Sequence, residues 1–221
     1  MRLWSDSFRD GGLIAPQCAF AVIDPERHVR FSNNRNPHLA WDDVPTGTES
    51  LVLLVRDIDA PTVGTDVNKE GRWVAETLPR ADFYHWTLID IPAALHSLGE
   101  GKFSDMVTPH GKTGPLVPFM VKNGIEHQLR HGINDYTGWF ASDPDMAGEF
   151  YGYDGPCPPW NDQRVHTYLF TLYALDIPQL TLDERFTGQD VRSAIRGHIL
   201  DEAQIYCVYS LNPAVAATLE P

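Results

Sequence analysis

Four short segments hold the side chains able to do chemistry in this chain: Asp57-Ile58-Asp59-Ala60-Pro61, His85-Trp86, Gly155-Pro156-Cys157-Pro158-Pro159 and Val165-His166-Thr167-Tyr168. Imidazoles, carboxylates and a thiol open three kinds of chemistry. Protonated or donating histidines can bind an anion, two histidines and a carboxylate can hold a metal ion, and Cys157 with His166 as base could act as a nucleophile. Each segment lies at the end of an apolar, β-type run, where backbone bends can gather these groups around one small pocket.

The runs themselves predict strands. Leu51-Val52-Leu53-Leu54-Val55 is short and aliphatic and leads to a stop at Pro61, and strand geometry sets Asp57 and Asp59 on one face. Tyr84 to Ile89 predicts a second strand ending at Asp90-Ile91-Pro92. Val165 to Leu175 alternates His166, Tyr168, Phe170 and Leu172 against Thr167, Leu169, Thr171 and Tyr173, the pattern of a strand buried largely on both faces. One helix is predicted after Thr187, with Asp190 as capping partner and Val191, Ala194, Ile195, His198 and Ile199 at helical spacing; a strand from Gln204 to Ser210 follows. Residues 62–83 and 99–127, rich in glycine, proline and polar side chains, read as long loop insertions between the pocket segments, placed to shape its mouth.

Structural roles compete with functional ones at each residue. A histidine in an apolar strand more often serves packing and hydrogen bonding than ligand binding. Close to Asp57, however, an imidazole gains stability in its charged form, and a cationic or donating histidine pair suits a phosphate or carboxylate head group. An ionised Asp57 repels such an anion, so it either orients a histidine from behind or meets the cationic or hydroxyl end of a zwitterion. Asp59, before Ala-Pro, has the context of a turn-holding aspartate and ranks below Asp57. In Gly155 to Pro159 the prolines have no N–H, so backbone donors come only from Gly155, Cys157 and then Trp160; a stiff surface turn is the competing reading. Tyr168 shares the face of His166 and offers a hydroxyl, although a core aromatic usually packs.

Other chemistries have less support. The histidines and Asp57 lack a local metal-ligand signature, and His127-Gln128-Leu129-Arg130-His131 has no glutamate after its first histidine. Gly111-Lys112-Thr113 lacks the earlier glycine of a phosphate loop, since Met106 stands there, and no Gly-x-Ser-x-Gly occurs.

At these same residues the chain resembles the phosphatidylethanolamine-binding protein family, in particular its bacterial Raf-kinase-inhibitor-like members. The resemblance extends in family order through Asn36-Pro37-His38-Leu39-Ala40-Trp41, Val44-Pro45-Thr46-Gly47-Thr48, Asn134-Asp135-Tyr136, Tyr168 to Asp176 and Gly197-His198-Ile199-Leu200. It implies an all-β fold, an antiparallel β-sandwich of a large and a small sheet with a few peripheral helices. It also implies a ligand pocket at Asp57, His85, Gly155, Pro156, Cys157, His166 and Tyr168, supported by Asp59 and Trp86. Three departures stand out: Ile58 replaces a usual proline, Trp160-Asn161-Asp162-Gln163-Arg164 replaces a glycine-rich link, and Thr167 replaces a usual arginine.

Composition sets the outer bounds. At 221 residues the chain can bury a full core as one domain, and Cys18, Cys157 and Cys207 are too scattered for a disulfide framework or zinc site. No apolar run reaches membrane-spanning length and no secretory signal opens the chain, so a cytoplasmic location without integral membrane association is expected. A net charge of -13 disfavours nucleic acid and anionic membrane surfaces. These readings converge on a non-enzymatic, cofactor-free binding protein for a small anionic or zwitterionic ligand such as a phospholipid head group. The alternative is a module that inhibits a kinase or protease partner through its loops.

Overall fold

The structure, a computed structural model, describes residues 1–121 and 125–219. In chain order its strands are β1 (Arg2–Trp4), β2 (Ala21–Asp24), β3 (His28–Phe31), β4 (Leu39–Asp42), β5 (Ser50–Pro61), β6 (Arg80–Pro92), β7 (Ser97–Leu98), β8 (Leu116–Val121), β9 (Ile125–His131), β10 (His166–Leu175) and β11 (Ile199–Tyr209). Short helices α1 (Tyr136–Trp139) and α2 (Gly188–Ala194) lie in the connections, and α3 (Pro213–Ala216) follows the last strand. The large sheet has the order β11-β10-β5-β6-β9-β8, the small sheet β1-β4-β7, and β2 and β3 form a separate pair; all these pairings are antiparallel.

The centre of the large sheet is built by alternation along β5. Leu51, Leu53 and Val55 face a core shared with Leu3, Leu39, Trp41 and Leu98 of the small sheet. Val52 and Leu54 face a second cluster with Phe186, Val191 and Ile195. Side chains two apart share a face, so one continuous aliphatic run serves both cores. The second cluster is closed by α2. Its Thr187 Oγ1 accepts the Asp190 N–H while the Asp190 carboxylate accepts the Thr187 N–H, a reciprocal cap. The helix ends after Ala194, short of the expected run to Ile199: Gly197 takes φ +85°, and Ile199 already belongs to β11. That strand therefore begins five residues before Gln204.

Both expected insertions are shorter than their sequences suggest. Arg80 to Phe83 already pair with β5, and the 99–127 segment ends its loop at Pro115, because β8 and β9 extend the sheet edge. Edge strands tolerate proline, as at Pro118, and this is why composition concealed β8. Residues 122–124 of that segment lie outside the described residues. The histidine pair 127/131 falls on strand β9 and not on a helix. No described helix is long and apolar enough to cross a membrane.

The remaining segment, 62–79, is docked against the link 159–165. Asn161, 5% exposed, donates through Nδ2 to the carbonyls of Asp66 at 2.8 Å and Arg72 at 3.0 Å, and its Oδ1 accepts the Asn68 N–H at 2.9 Å. Val74 adds backbone bonds to Asn161 and Gln163. Replacing Asn161 by alanine strands these partners and is expected to lower stability by about 2 kcal/mol. Urea unfolding measures that loss, and limited proteolysis should then cut first within 62–79.

Candidate functional site

Irregularities in strand pairing aim the site residues. Val55 pairs with Trp86 and Arg56 with Tyr84, which leaves His85 as an extra residue on β6. Such a bulge turns two successive side chains toward one side. His85 accordingly lies 5.2 Å ring to ring from Tyr168 and 5.5 Å from Tyr136, members of the same core as Trp86. A second shift, between Asp57 and Ala60 on β5, gives Asp57 and Asp59 different tasks.

Asp57, His85, His166, Cys157, Pro158 and Pro159 line one cavity of about 100 Å³, together with Ala60, Pro61, Asn68, Phe83, Tyr136 and Trp139. Pockets for drug-sized ligands measure roughly 300–1,000 Å³, so this space suits a head group.

The two histidines differ in kind. His166 is 1% exposed; its Nδ1 lies 2.6 Å from Asp57 Oδ2 and its Nε2 3.0 Å from Asp162 Oδ2. Carboxylates only accept, so both ring nitrogens donate and the ring is an imidazolium. Burial opposes that charge, but the attraction of Asp57 and the hydrogen bonds to Asp162 and Asp57 outweigh it and raise the pKa to about 9. Asp162 is in turn gripped by Arg80, with contacts of 2.5 and 3.0 Å. Burial works against its charge too, yet His166 and Arg80 hold its carboxyl below the usual range.

His85 is neutral. Burial lowers its pKa against the pull of Asp57 and of the Asp154 carbonyl. Its Nδ1 donates to that carbonyl at 2.7 Å, and the Asp154 N–H returns a bond to the His85 carbonyl at 3.0 Å. Its Nε2 lone pair has no partner among the described residues. The Asp154 carboxylate is itself satisfied by Asn34, Asn134 and Lys112, so His85 rests on a fully bonded support. Of the cationic or donating histidine pair expected from sequence, His166 is a cation whose donors are spent, and His85 is a neutral ring whose free nitrogen is an acceptor.

The other expected site residues divide between lining and support. Gly155 and Pro156 do not reach the cavity. The Gly155 N–H donates to Asn34 Oδ1, its carbonyl accepts the Tyr136 hydroxyl, and Pro156 accepts from Phe20. A Cβ at Gly155 would stand 2.1 Å from the Cys18 carbonyl, which explains the glycine. Trp160 N–H is taken by Asn68, so of the three candidate amides only Cys157 N–H lacks an acceptor among the described residues. Asp59 turns away from the cavity and holds the Thr167 N–H at 2.9 Å and Arg164 at 2.9 Å, the structural role its context suggested. Trp86 also stays outside: fully buried, it donates to His131 Nε2 at 3.2 Å, and burial keeps that ring neutral with a pKa of about 3. Tyr168 packs behind His85, its buried hydroxyl unpartnered. Among the described residues no group of three or more His, Cys, Asp or Glu side chains has the geometry to hold a metal ion.

Sequence reasoning missed Asp162, Arg80, Phe83, Asn68 and Trp139. Asp162 was within reach of inference, since it sits four residues before His166 in the link already marked as a departure.

With this geometry in place, the comparisons are decisive. The family model for phosphatidylethanolamine-binding protein matches residues 4–210. The chain belongs to the phosphatidylethanolamine-binding protein family. It is 31% identical to the YbhB protein of Escherichia coli across 95% of this chain and 100% of that protein, and 30% identical to a relative from Aquifex aeolicus across 95% and 88%. The crystal structure of Escherichia coli YbcL, a member of the same family, superposes with a TM-score of 0.63 at 22% identity, covering 95% of this chain and 97% of that one. A homologue from Chlamydia trachomatis gives 0.59 at 23% identity, with 95% and 96% covered. The sandwich of large and small antiparallel sheets is therefore the phosphatidylethanolamine-binding-protein fold, as the sequence motifs implied.

The His166 imidazolium makes stability depend on pH. Its folded pKa of about 9 exceeds the ordinary 6.5, so its contribution is complete below about pH 6.5 and is lost as pH rises through about 9. A shift of this size corresponds to on the order of 3 kcal/mol. Urea unfolding across this range should show that decline, and Asp162→Asn should make it shallower.

Proposed function

We propose that this phosphatidylethanolamine-binding-protein relative is a non-enzymatic binding protein whose cavity takes the phosphorylated or carboxylated end of a small ligand, such as a phospholipid head group. The observation that carries this reading is the cavity itself, head-group-sized and lined by Asp57, His85, His166 and Cys157. Among the described residues, the Cys157 N–H, His85 Nε2, Asn68 Nδ2 and Trp139 Nε1 on its lining residues have no hydrogen-bond partner. Asp57 does not oppose an anion as a bare carboxylate: its Oδ1 accepts the Asp59 N–H at 2.7 Å and its Oδ2 faces the His166 cation. A binding role is favoured over nucleophilic catalysis because burial pushes the Cys157 thiol up to about 12, leaving it protonated near neutrality.

The second reading, a loop-borne module that inhibits a kinase or protease, draws on Trp73. It is 64% exposed on a segment that Asn161 fixes in place, and tryptophan is a frequent anchor at protein interfaces. There Trp73→Ala would abolish partner binding and His85→Ala would spare it.

Titration of phosphoethanolamine followed by imidazole NMR tests the first reading. Saturable shifts are expected at His85 and, less strongly, at His166, with none at the exposed His198, which pairs with Asp176. His85→Ala should abolish saturation. Absence of any shift at millimolar ligand would overturn the head-group assignment.

A further inference from the structure

None of residues 99–115 lines the cavity, although the sequence placed this segment at the pocket mouth. The segment reaches the site through one side chain instead. Lys112 Nζ donates to Asp154 Oδ1 at 2.7 Å, with the lysine side chain 19% exposed and the carboxylate 1%. Among the described residues it is the one cation paired with Asp154; the carboxylate's other side-chain partners, Asn34 at 2.7 Å and Asn134 at 2.8 Å, are neutral amides.

Asp154 in turn brackets His85. Its carbonyl accepts the His85 Nδ1 proton at 2.7 Å, and its N–H donates to the His85 carbonyl at 3.0 Å. The two amides carry the connection further: Asn34 also accepts the Gly155 N–H, two residues before Cys157, and Asn134 accepts the Tyr136 N–H. His85, Cys157 and Tyr136 all line the cavity. The buried carboxylate is thus a hub behind the wall, and its charge compensation arrives from a loop.

The backbone that delivers Lys112 has little freedom. Gly111 and Gly114 lie on either side of it, where a Cβ at Gly111 would stand 2.1 Å from the Glu149 carbonyl oxygen and one at Gly114 2.3 Å from the Tyr151 ring. Only glycine allows so close an approach. The Lys112 carbonyl accepts the Tyr151 N–H at 3.4 Å, and the Pro115 carbonyl accepts the His131 N–H at 2.7 Å.

We propose that Lys112 is a positioning residue for His85, through which the 99–115 loop controls the ligand site from outside the cavity. This deepens the head-group reading and rests on it for the ligand. Two neutral amides do not compensate a carboxylate buried this deeply. Without the ammonium, Asp154 is drawn toward water, and the peptide group that holds the His85 proton moves with it. His85 then loses the acceptor that keeps its proton on Nδ1.

Heteronuclear imidazole NMR tests this linkage without any ligand. In the wild type His85 should show a single tautomer protonated at Nδ1. In Lys112→Met it should show mixed tautomers while His166 stays doubly protonated, and affinity for phosphoethanolamine should fall about tenfold. Lys112→Arg, which keeps the charge, should restore both. A cycle with Asp154→Asn separates the linkage from simple loop anchoring: with the carboxylate neutralised, adding Lys112→Met should change neither the His85 signals nor the affinity further. Unchanged His85 signals in folded Lys112→Met, or equal effects in both backgrounds, overturn the proposal. Should Lys112→Met not fold, Asp154→Asn must restore folding, and failure to do so overturns it equally. If the wild type binds no phosphoethanolamine while the His85 signals still respond to Lys112, the head-group reading fails and the positioning role stands.

Discussion

The site depends on a protonated imidazole buried between two carboxylates. A single charge placed in this interior would cost several kcal/mol, so His166, Asp57, Asp162 and Arg80 keep their charges only as a set. The alternation of sign along the set leaves it neutral overall. It also fixes geometry, because the four residues come from β10, β5, the link before β10, and β6. Strand register, the course of the link and the position of the cavity wall are therefore consequences of one satisfied network. Removing any one partner leaves a buried charge uncompensated, which is a larger effect than the net worth of the intact network.

The link that carries Asp162 is itself held by one of the expected loop insertions. The sequence Trp160 to Arg164 stands where the family resemblance implies a glycine-rich link, and residues 62–83 read as a loop insertion, of which 62–79 remain outside the sheet. In the structure each supports the other: Asn161 satisfies carbonyls of 62–79, Asn68 caps the Trp160 N–H, and Val74 bridges to the link through backbone bonds. Asn68 then joins the cavity wall. Docked in this way, the link holds Asp162 where it can close the imidazolium, a position a mobile glycine-rich link would fix less firmly.

Much of this was legible in the sequence, for identifiable reasons. The aliphatic run at 51–55, the alternation from His166 to Leu175 and the Thr187/Asp190 cap are local patterns, and each became the expected element. The sheet edge at 116–131 was not legible, because Pro118 and nearby glycines match loop chemistry as well as edge-strand chemistry. The lining roles of Asp57, His85, Cys157 and His166 could be anticipated from segment context and family order. Trp86 could not be separated from the lining residues without knowing the bulge at His85, since one extra residue decides which side chains share a face, and Gly155 and Pro156 are taken up by Asn34, Tyr136 and Phe20, partners distant in sequence. Asp162 and Arg80, eighty-two positions apart in sequence, form an ion pair that no local pattern announces.

The unequal protonation of the two histidines follows from their hydrogen-bond partners. Two carboxylates make His166 a cation, whereas a peptide carbonyl leaves His85 neutral, and the His166 charge then weighs against a second one nearby. The cavity wall therefore carries a cation whose two N–H groups are already held by carboxylates, beside a neutral ring whose one N–H is held by a peptide carbonyl. The constraint that keeps His166 charged is thus the same one that leaves it no free donor.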